Sequence, residues 1–153
     1  MSFVLESKAF PKGGDIPSTY TCSGEDVSPA LSWSGAPSAT KGFALIVEDP
    51  DAPSGTFTHW LVYDLPAEAR QLPENVSKTD DLSSGGRQGR NDFRRVGYGG
   101  PCPPPGKPHR YFFKLFALNT ALDLPAGATR RELDSALRGH VLAQAELMGR
   151  FGR

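Results

Sequence analysis

The chain has 153 residues, a length that suits one domain with a sizeable hydrophobic core, and we predict a single domain over residues 1–153. Lysine and arginine number 17, as do aspartate and glutamate, so the formal net charge is zero. This balance argues against a nucleic acid partner, because such proteins carry a basic surface. No segment has the length and hydropathy of a membrane span, and the N-terminus lacks a signal-peptide pattern. We therefore expect a soluble, cytoplasmic protein.

The composition favours a folded β-rich domain with large, shaped loops. The 17 glycines and 14 prolines show no collagen-like repeat, and aromatic residues occur throughout the chain. The two cysteines, Cys22 and Cys102, are far apart in the sequence and form no CxxC pair, which argues against a zinc site. We predict that they are free thiols and that they do not form a disulfide.

Five segments have the features of β-strands. Two are short, SFVLES near the start and ALSWSG at 30–35, and each contributes apolar residues to a predicted core that includes Trp33. Three are clearer, because they are dense in β-branched or aromatic residues and are bounded by proline or glycine. They are GFALIVED (42–49), HWLVYDL (59–65, with Trp60 in the predicted core) and RYFFKLFAL (110–118).

Residues 66–108 show weak periodicity, and a stretch of this length without regular structure is typically functional or disordered. Its prolines, together with Phe93 and Tyr98, predict an ordered loop. It also contains several arginines that we interpret as a solvated face, with a docking patch for an acidic partner as the alternative. These are Arg87, Arg90, Arg94 and Arg95.

One helix is predicted from Thr129, where Thr129 and Glu132 match a capping box. Apolar residues follow at steps of three and four as far as Met148, interrupted by His140 and Gln144. We expect this helix to cover an edge of the sheet, with His140 in a structural role. Strands first and a helix last predict a mainly β fold, an antiparallel β-sandwich or partly closed barrel with a C-terminal peripheral helix.

Strand direction suggests where polar residues meet. Alternate side chains share one face of a strand, so Asp49, His59, His109 and Tyr111 each extend an apolar row. Asp49 ends its strand, whereas His59 and His109 begin theirs. If the first of these strands is antiparallel to the other two, the polar groups gather at one end of the sheet and form the mouth of a pocket.

Loops beside these strands can complete such a pocket. Asp51 lies in the rigid link EDPDAPSGTFTH, although Asp-Pro sequences also build tight turns without any ligand. Glycines at 97, 99, 100 and 106 permit close approach of backbone N–H groups to a ligand. The proline-rich segment 101–108 can preform a wall beside the start of the last clear strand. We expect at least one cis X-Pro bond here or in DPDAP.

Two motif regions, DPDAPSGTFTHWLVYDLP and GYGGPCPPPGKPHRYFFKLFAL, resemble the signature regions of the phosphatidylethanolamine-binding protein family, in its bacterial and archaeal Raf-kinase-inhibitor-like branch. The similarity extends to YTCSGEDVSPALSWSGAP and to the closing segment GHVLAQAELMGRFGR, hence to nearly the whole chain. The resemblance implies a β-sandwich with a large antiparallel sheet and a small pocket for phosphate, phosphoryl head groups or other oxyanions such as carboxylates. It places in that pocket Asp49, Asp51, His59, Gly100, Pro101, His109 and Tyr111.

These residue types suit an anion site. Donors would come from His59, His109, the Tyr111 hydroxyl and a backbone amide near Gly100, while the carboxylates would orient the histidines. We predict that oxyanion affinity rises as pH falls through the histidine range. The protein is thus predicted to be a non-enzymatic binding protein without a cofactor. The resemblance further implies a protein kinase or protease as a partner.

The alternative is a metal-dependent hydrolase. Asp49, Asp51, His59 and His109 could ligate a divalent metal that activates water. Neither motif has a metal-ligand spacing such as HExxH, and there is no GxSxG elbow, so we expect neither a bound metal nor a catalytic residue. A homodimer contact through the C-terminal helix and Phe151 is left open.

Overall fold

The computed structural model describes residues 2–153. Most of its regular structure is β-strand, formed by the segments that are rich in β-branched and aromatic residues. In chain order the elements are β1 (Val4–Glu6), a short 3-10 helix (Ser18–Tyr20), β2 (Leu31–Ser34), β3 (Gly42–Asp49), β4 (Phe57–Pro66), β5 (Gln71–Leu72), β6 (Arg87–Gln88), β7 (His109–Leu118), α1 (Arg130–Leu137) and β8 (Val141–Phe151).

The strands form two sheets that pack against each other. The larger sheet has five strands in the order β6-β4-β3-β7-β8, and the smaller sheet has three in the order β1-β2-β5. Every pair of neighbouring strands in these two sheets is antiparallel. The prediction of a mainly β, antiparallel sandwich is therefore confirmed.

Apolar side chains from both sheets form the core between them. Phe43 on β3 packs with Trp33 on β2, and Trp60 on β4 is buried in the same cluster. Each indole N–H has a partner, since Trp33 donates to the Ala69 carbonyl at 2.9 Å and Trp60 to Gln88 Oε1 at 2.7 Å. Both tryptophans occupy the core positions predicted for them.

Helix α1 covers the outer face of the larger sheet, where Leu133 and Leu137 pack against a second apolar cluster that includes Leu61. Its capping box is present as predicted. The Thr129 hydroxyl accepts the Glu132 N–H at 3.2 Å, and the Glu132 carboxylate accepts the Thr129 N–H at 2.9 Å. Two of the N–H groups that begin a helix without intrahelical partners are satisfied in this way.

The prediction that this helix continues to Met148 is wrong. Helix α1 is eight residues long, and the chain then turns through Gly139, whose φ of 78° is accessible to glycine at little cost. The following residues form β8, which pairs along β7 and buries alternate side chains, among them Ala145 and Leu147. This segment satisfies both the helical and the strand periodicity, and pairing with the free edge of β7 decides between them.

The prediction of free thiols is also wrong, because Cys22 and Cys102 form a disulfide with their Cα atoms 5.3 Å apart. The loops around the two cysteines run side by side. The Cys22 N–H donates to the Pro101 carbonyl at 3.1 Å, and the Gly100 N–H donates to Asp26 Oδ1 at 2.8 Å. Sequence separation alone carried no information about this proximity.

Every peptide bond within the described residues is trans, so the expected cis X-Pro bond is not present there. The turn after β3 is made instead by a side chain, since Asp49 Oδ1 accepts the Asp51 N–H at 2.7 Å. This Asx-turn geometry reverses the chain without a cis bond.

The long segment between β4 and β7 is ordered by side-chain tethers. Gln88 sits within it with no exposed surface and donates to the Ser77 and Thr79 carbonyls at 2.7 and 2.8 Å. The four arginines of this segment are exposed, in agreement with their interpretation as a solvated face. No helix among residues 2–153 is long and apolar enough to cross a membrane.

The disulfide generates a prediction about stability. Replacing both Cys22 and Cys102 by alanine should lower the free energy of unfolding by about 2–4 kcal/mol, because the cross-link closes a long loop and restricts the unfolded chain. Urea unfolding followed by tryptophan fluorescence measures the change. Reduction of the wild-type protein should reproduce the effect and should leave the double variant unchanged. A loss well below 1 kcal/mol would contradict a cross-link in solution.

Candidate functional site

A cleft of about 860 Å³ opens at the end of the larger sheet where β3 stops and β4 and β7 begin. Strand β3 is antiparallel to both neighbours, as the proposed convergence of polar residues required. Four of the predicted site residues line this cleft: Asp49, His59, His109 and Tyr111.

Asp49 is a buried carboxylate that orients His109. It is 3 % exposed, and its Oδ2 lies 2.7 Å from His109 Nδ1. Since the other Asp49 oxygen accepts the Asp51 N–H, the carboxylate is held from two sides. A carboxylate partner indicates that His109 carries its proton on Nδ1, which leaves Nε2 as the ring nitrogen available to a ligand.

His59 is oriented by backbone. Its Nδ1 lies 2.7 Å from the Gly99 carbonyl, and the Gly99 N–H donates back to the His59 carbonyl at 3.0 Å. A carbonyl can only accept, so Nδ1 carries the proton and Nε2 is free. Burial lowers the pKa of His59, although the bond to Gly99 and the charge of Asp49 oppose this shift. The ring is therefore neutral near pH 7.

A β-bulge brings His59 into the site. Val47 pairs with Trp60 while Glu48 pairs with Thr58, so His59 is the extra residue on β4. Simple alternation grouped His59 with Leu61, but Leu61 faces the cluster under α1. The bulge releases His59 from that row and places its ring centroid 5.3 Å from that of Tyr111. The predicted convergence is therefore present, whereas the register argument for His59 was wrong.

The Tyr111 ring lies beside both histidines, and its hydroxyl is buried. The residue is 1 % exposed, and its ring centroid lies 6.4 Å from that of His109. Within residues 2–153 its Oη is the single buried side-chain polar atom that makes no hydrogen bond of standard geometry, and the Asp49 carboxylate is its polar neighbour. Burial raises the pKa of Tyr111 well above its ordinary value, and the nearby Asp49 carboxylate raises it further, so the phenol remains a neutral O–H donor.

Asp51 does not line the cleft. Its carboxylate is held by Arg110, with Oδ1 2.8 Å from Nη2 and Oδ2 3.0 Å from Nε, and Oδ2 also accepts the Arg110 N–H at 2.9 Å. These hydrogen bonds from Arg110 lower the pKa of Asp51 to about 2. Asp51 therefore ties the loop after β3 to the start of β7, and its charge is balanced within the protein.

Gly100 and Pro101 also lie behind the cleft wall. The Gly100 N–H is committed to Asp26, and the Pro101 carbonyl to Cys22. A Cβ atom at Gly100 would clash with the Tyr20 carbonyl, so glycine is required for this close approach of two loops. The two residues position the wall, and the amide of Gly100 is not available to an anion.

Sequence reasoning missed an aromatic rim beside His59. The ring centroid of Phe93 lies 4.8 Å from Phe57 and 5.5 Å from His59, and Phe93 is 40 % exposed. Asn91 holds this rim, since its Oδ1 accepts the N–H groups of Phe93 and Arg95. The signal available was an aromatic residue flanked by turn-forming and charged residues in a loop.

The N-terminal end of α1 supplies another wall that the sequence did not indicate. Arg130 lines the cleft and donates to Glu48 at 2.8 Å, to Thr58 Oγ1 at 3.1 Å and to Asp134 at 3.0 Å. These bonds pin α1 to β3 and β4 beside the site. The rest of the lining that is missing from the predicted set is Ala52, Pro53, Ser54, Gly55, Thr56, Arg90, Asp92, Arg94, Cys102, Pro103, Pro104 and Thr129.

Within the described chain, no group of three or more histidine, cysteine, aspartate or glutamate side chains is arranged to hold a metal ion. The two carboxylates suggested for the hydrolase alternative are separated in role, one bound to His109 and the other to Arg110. The ligand set that this alternative needs is not assembled.

Comparisons with known proteins agree with this architecture. The model of the phosphatidylethanolamine-binding protein family matches residues 6–152. A UPF0098 protein of Aquifex aeolicus is 52 % identical over 149 residues, covering 96 % of this chain and 86 % of that protein. A UPF0098 protein of Methanothermobacter thermautotrophicus is 50 % identical over 149 residues, covering 97 % and 98 %.

Solved structures show the same fold. The YbcL protein of E. coli, described as a member of the mammalian PEBP family, superimposes with a TM-score of 0.93 at 34 % identity, covering 100 % of this chain and 99 % of that one. A putative phosphatidylethanolamine-binding protein homolog, CT736 from Chlamydia trachomatis, gives 0.90 at 39 % identity, covering 99 % and 98 %. The chain belongs to the phosphatidylethanolamine-binding protein family.

Proposed function

We propose that this chain is a non-enzymatic, single-domain binding protein whose cleft holds a small anionic group, namely a phosphate, a phosphoryl head group or a carboxylate. The observation that supports this most directly is the Tyr111 hydroxyl, a buried donor that makes no hydrogen bond of standard geometry in the described protein. Buried polar groups almost always have a hydrogen-bond partner. A ligand oxygen at this position supplies one.

Both histidines can serve the same ligand once they are protonated. His59 uses Nδ1 for Gly99, and His109 uses Nδ1 for Asp49, so only Nε2 of each ring remains. A neutral ring of this tautomer offers a lone pair at Nε2, whereas an imidazolium offers an N–H. An anion therefore binds together with a proton at His59, whose pKa is lowered by burial.

The size of the cleft indicates a ligand larger than a bare oxyanion. Its volume of about 860 Å³ lies in the range of sites for small organic molecules. A phosphoryl group on a lipid head group fits this description, as does a phosphorylated or acidic segment of a protein kinase or protease. Exposed Arg90 and Arg94 on the rim suit a ligand with further negative charge.

We predict that the protein is cytoplasmic. For the oligomeric state, a monomer and a homodimer are the two alternatives. Native mass spectrometry of the purified protein gives the subunit count. The same spectrum gives the mass of any small molecule or metal that is retained in the cleft.

Proton uptake at His59 predicts the pH dependence of binding. Sulfate is a suitable probe because it stays dianionic, and calorimetry should show tighter binding at about pH 5.5 than at about pH 8. The sign follows from linkage: an anion raises the lowered pKa of His59, so affinity grows as pH falls through the histidine range. The limit is about tenfold per pH unit for one coupled proton.

His59→Ala should remove most of this pH dependence. His140→Ala is the matched control, because the His140 ring hydrogen-bonds to Asn119 and does not line the cleft. Equal or tighter sulfate binding at the higher pH would discard the proton-coupled mechanism. If the His59→Ala variant keeps the full pH dependence of sulfate affinity, another titrating group is responsible for it.

Two of the buried tyrosines, Tyr111 and Tyr98, predict different effects on stability. Tyr111→Phe removes a hydroxyl without a partner, so the empty protein should keep its free energy of unfolding or gain up to about 1–3 kcal/mol, while sulfate binding weakens. Tyr98→Phe deletes a donor to the Tyr20 carbonyl, 2.7 Å away, and should cost about 1 kcal/mol, with a smaller effect on sulfate binding than Tyr111→Phe because Tyr98 does not line the cleft. Urea unfolding and calorimetry measure both. Equal destabilisation by the two changes would show that the Tyr111 hydroxyl already has a partner.

A further inference from the structure

The disulfide lies at the edge of the cleft and has no part in the anion-binding scheme above. Cys102 lines the cleft, and Cys22 follows the short 3-10 helix on the neighbouring loop. Both cysteines are exposed. A cystine that stabilises only a core is shielded from solvent thiols, whereas this one is open to attack.

The segment that the disulfide anchors also holds His59. Residues 99–102 begin with the Gly99 carbonyl that accepts from His59 Nδ1 and end at Cys102. Residues 99–101 are buried, and the Gly99 N–H donates to the His59 carbonyl at 3.0 Å. Besides the disulfide, three hydrogen bonds join this segment and the preceding Tyr98 to the loop of Cys22. They are the hydrogen bonds from Gly100 to Asp26, from Cys22 to Pro101 and from Tyr98 to Tyr20.

Beyond Cys102 the chain continues directly into the cleft wall. Pro103 and Pro104 line the cleft, and the Pro103 carbonyl accepts from Arg153 Nε at 2.7 Å. The prolines make this wall stiff, and Arg153 holds it from the C-terminal segment. The covalent bond therefore lies beside two features of the site, the loop that orients the His59 ring and the proline wall.

We propose that the Cys22–Cys102 disulfide is a site of reversible thiol–disulfide exchange with a dithiol of the CxxC type, and that its reduction weakens anion binding in the adjoining cleft. The exchange itself follows from exposure and position. The effect on affinity rests on the proposed anion-binding function.

The exchange is balanced in electrons and protons. A thiolate of the dithiol attacks one Sγ atom, the Cys22–Cys102 bond breaks, and the released cysteine sulfur takes up a proton. The second thiol of the dithiol then attacks the mixed disulfide and frees the other cysteine. The cystine gains two electrons and two protons, and the dithiol loses them as it becomes a disulfide.

Weaker binding follows from lost preorganisation. In the reduced protein the Gly99 carbonyl samples more positions. Each binding event must then order the His59 ring, and the lost conformational entropy lowers the affinity. Immobilising one side chain costs enough to change affinity by about twofold to tenfold. Asp49, His109 and Tyr111 lie on β3 and β7 and keep their places, so reduction should weaken binding without abolishing it.

The test compares oxidised and reduced full-length protein, with dithiothreitol as the dithiol and sulfate as the anion. Alkylation followed by mass spectrometry counts the thiols, and calorimetry measures sulfate affinity in each state. We expect two thiols after mild reduction and affinity lower by about twofold to tenfold. The double variant Cys22→Ser/Cys102→Ser should bind sulfate as the reduced protein does and should not respond to dithiothreitol.

A second measurement does not depend on sulfate binding. The imidazole NMR signals of His59 and His109 report the geometry of each ring, and reduction should move or broaden the His59 signal while the His109 signal stays. If neither state binds sulfate, the anion-binding proposal fails, and the NMR and alkylation results still decide the exchange and its link to His59.

Three outcomes would overturn the proposal. The first is a cystine that resists dithiothreitol in the folded protein. The second is a reduced protein with the sulfate affinity and the His59 signal of the oxidised one. The third is a protein whose circular dichroism shows global unfolding on reduction, since the disulfide would then act on overall stability and not on the cleft.

Discussion

The pairing of β3 with β4 on one side and β7 on the other is the constraint on which the site depends. Strand β3 is buried along its whole length, and burial on both faces restricts how its two neighbours can pair with it. Because both are antiparallel to β3, Asp49 at its end meets His59 and His109 near the start of the other strands. The one irregularity that matters is the extra residue in β4, without which His59 would lie on the face of the sheet that α1 covers.

Two acidic residues lie near the proposed anion site, and their negative charges do not oppose anion binding because each carboxylate has a partner within the protein. Asp49 binds His109, and Asp51 binds Arg110, so each carboxylate is balanced inside the protein. Their negative charge is used to orient donors and to join loops. The groups left to a ligand are Nε2 of each histidine and the Tyr111 hydroxyl, and all three can donate when the rings are protonated.

The strands that build the site could be predicted from sequence, because β3, β4 and β7 are dense in β-branched and aromatic residues. Their convergence followed from chain direction alone. The remaining features depend on tertiary contacts that a local pattern does not contain. Residues 141–151 fit both the helical and the strand period, and they form a strand because they pair with the free edge of β7. Cys22 and Cys102 form a disulfide because two loops that are distant in sequence lie side by side. The Gly100 N–H donates to Asp26, a residue far away in the sequence. The bulge at His59 likewise depends on how β4 pairs with β3, so the sequence of β4 alone does not indicate it.

The cleft combines a rigid inner part with walls that are attached less firmly. Asp49, His109 and Tyr111 sit on paired strands, where backbone hydrogen bonds fix each Cα position. His59, by contrast, owes its orientation to the Gly99 carbonyl, and Gly99 belongs to a loop held by a disulfide and a few hydrogen bonds. Loop backbone outside a paired sheet opens locally at a lower free energy than central strands do. Changes in affinity that leave the fold intact should therefore arise on the His59 side of the cleft, and changes on the Asp49–His109 side should disturb the sheet itself.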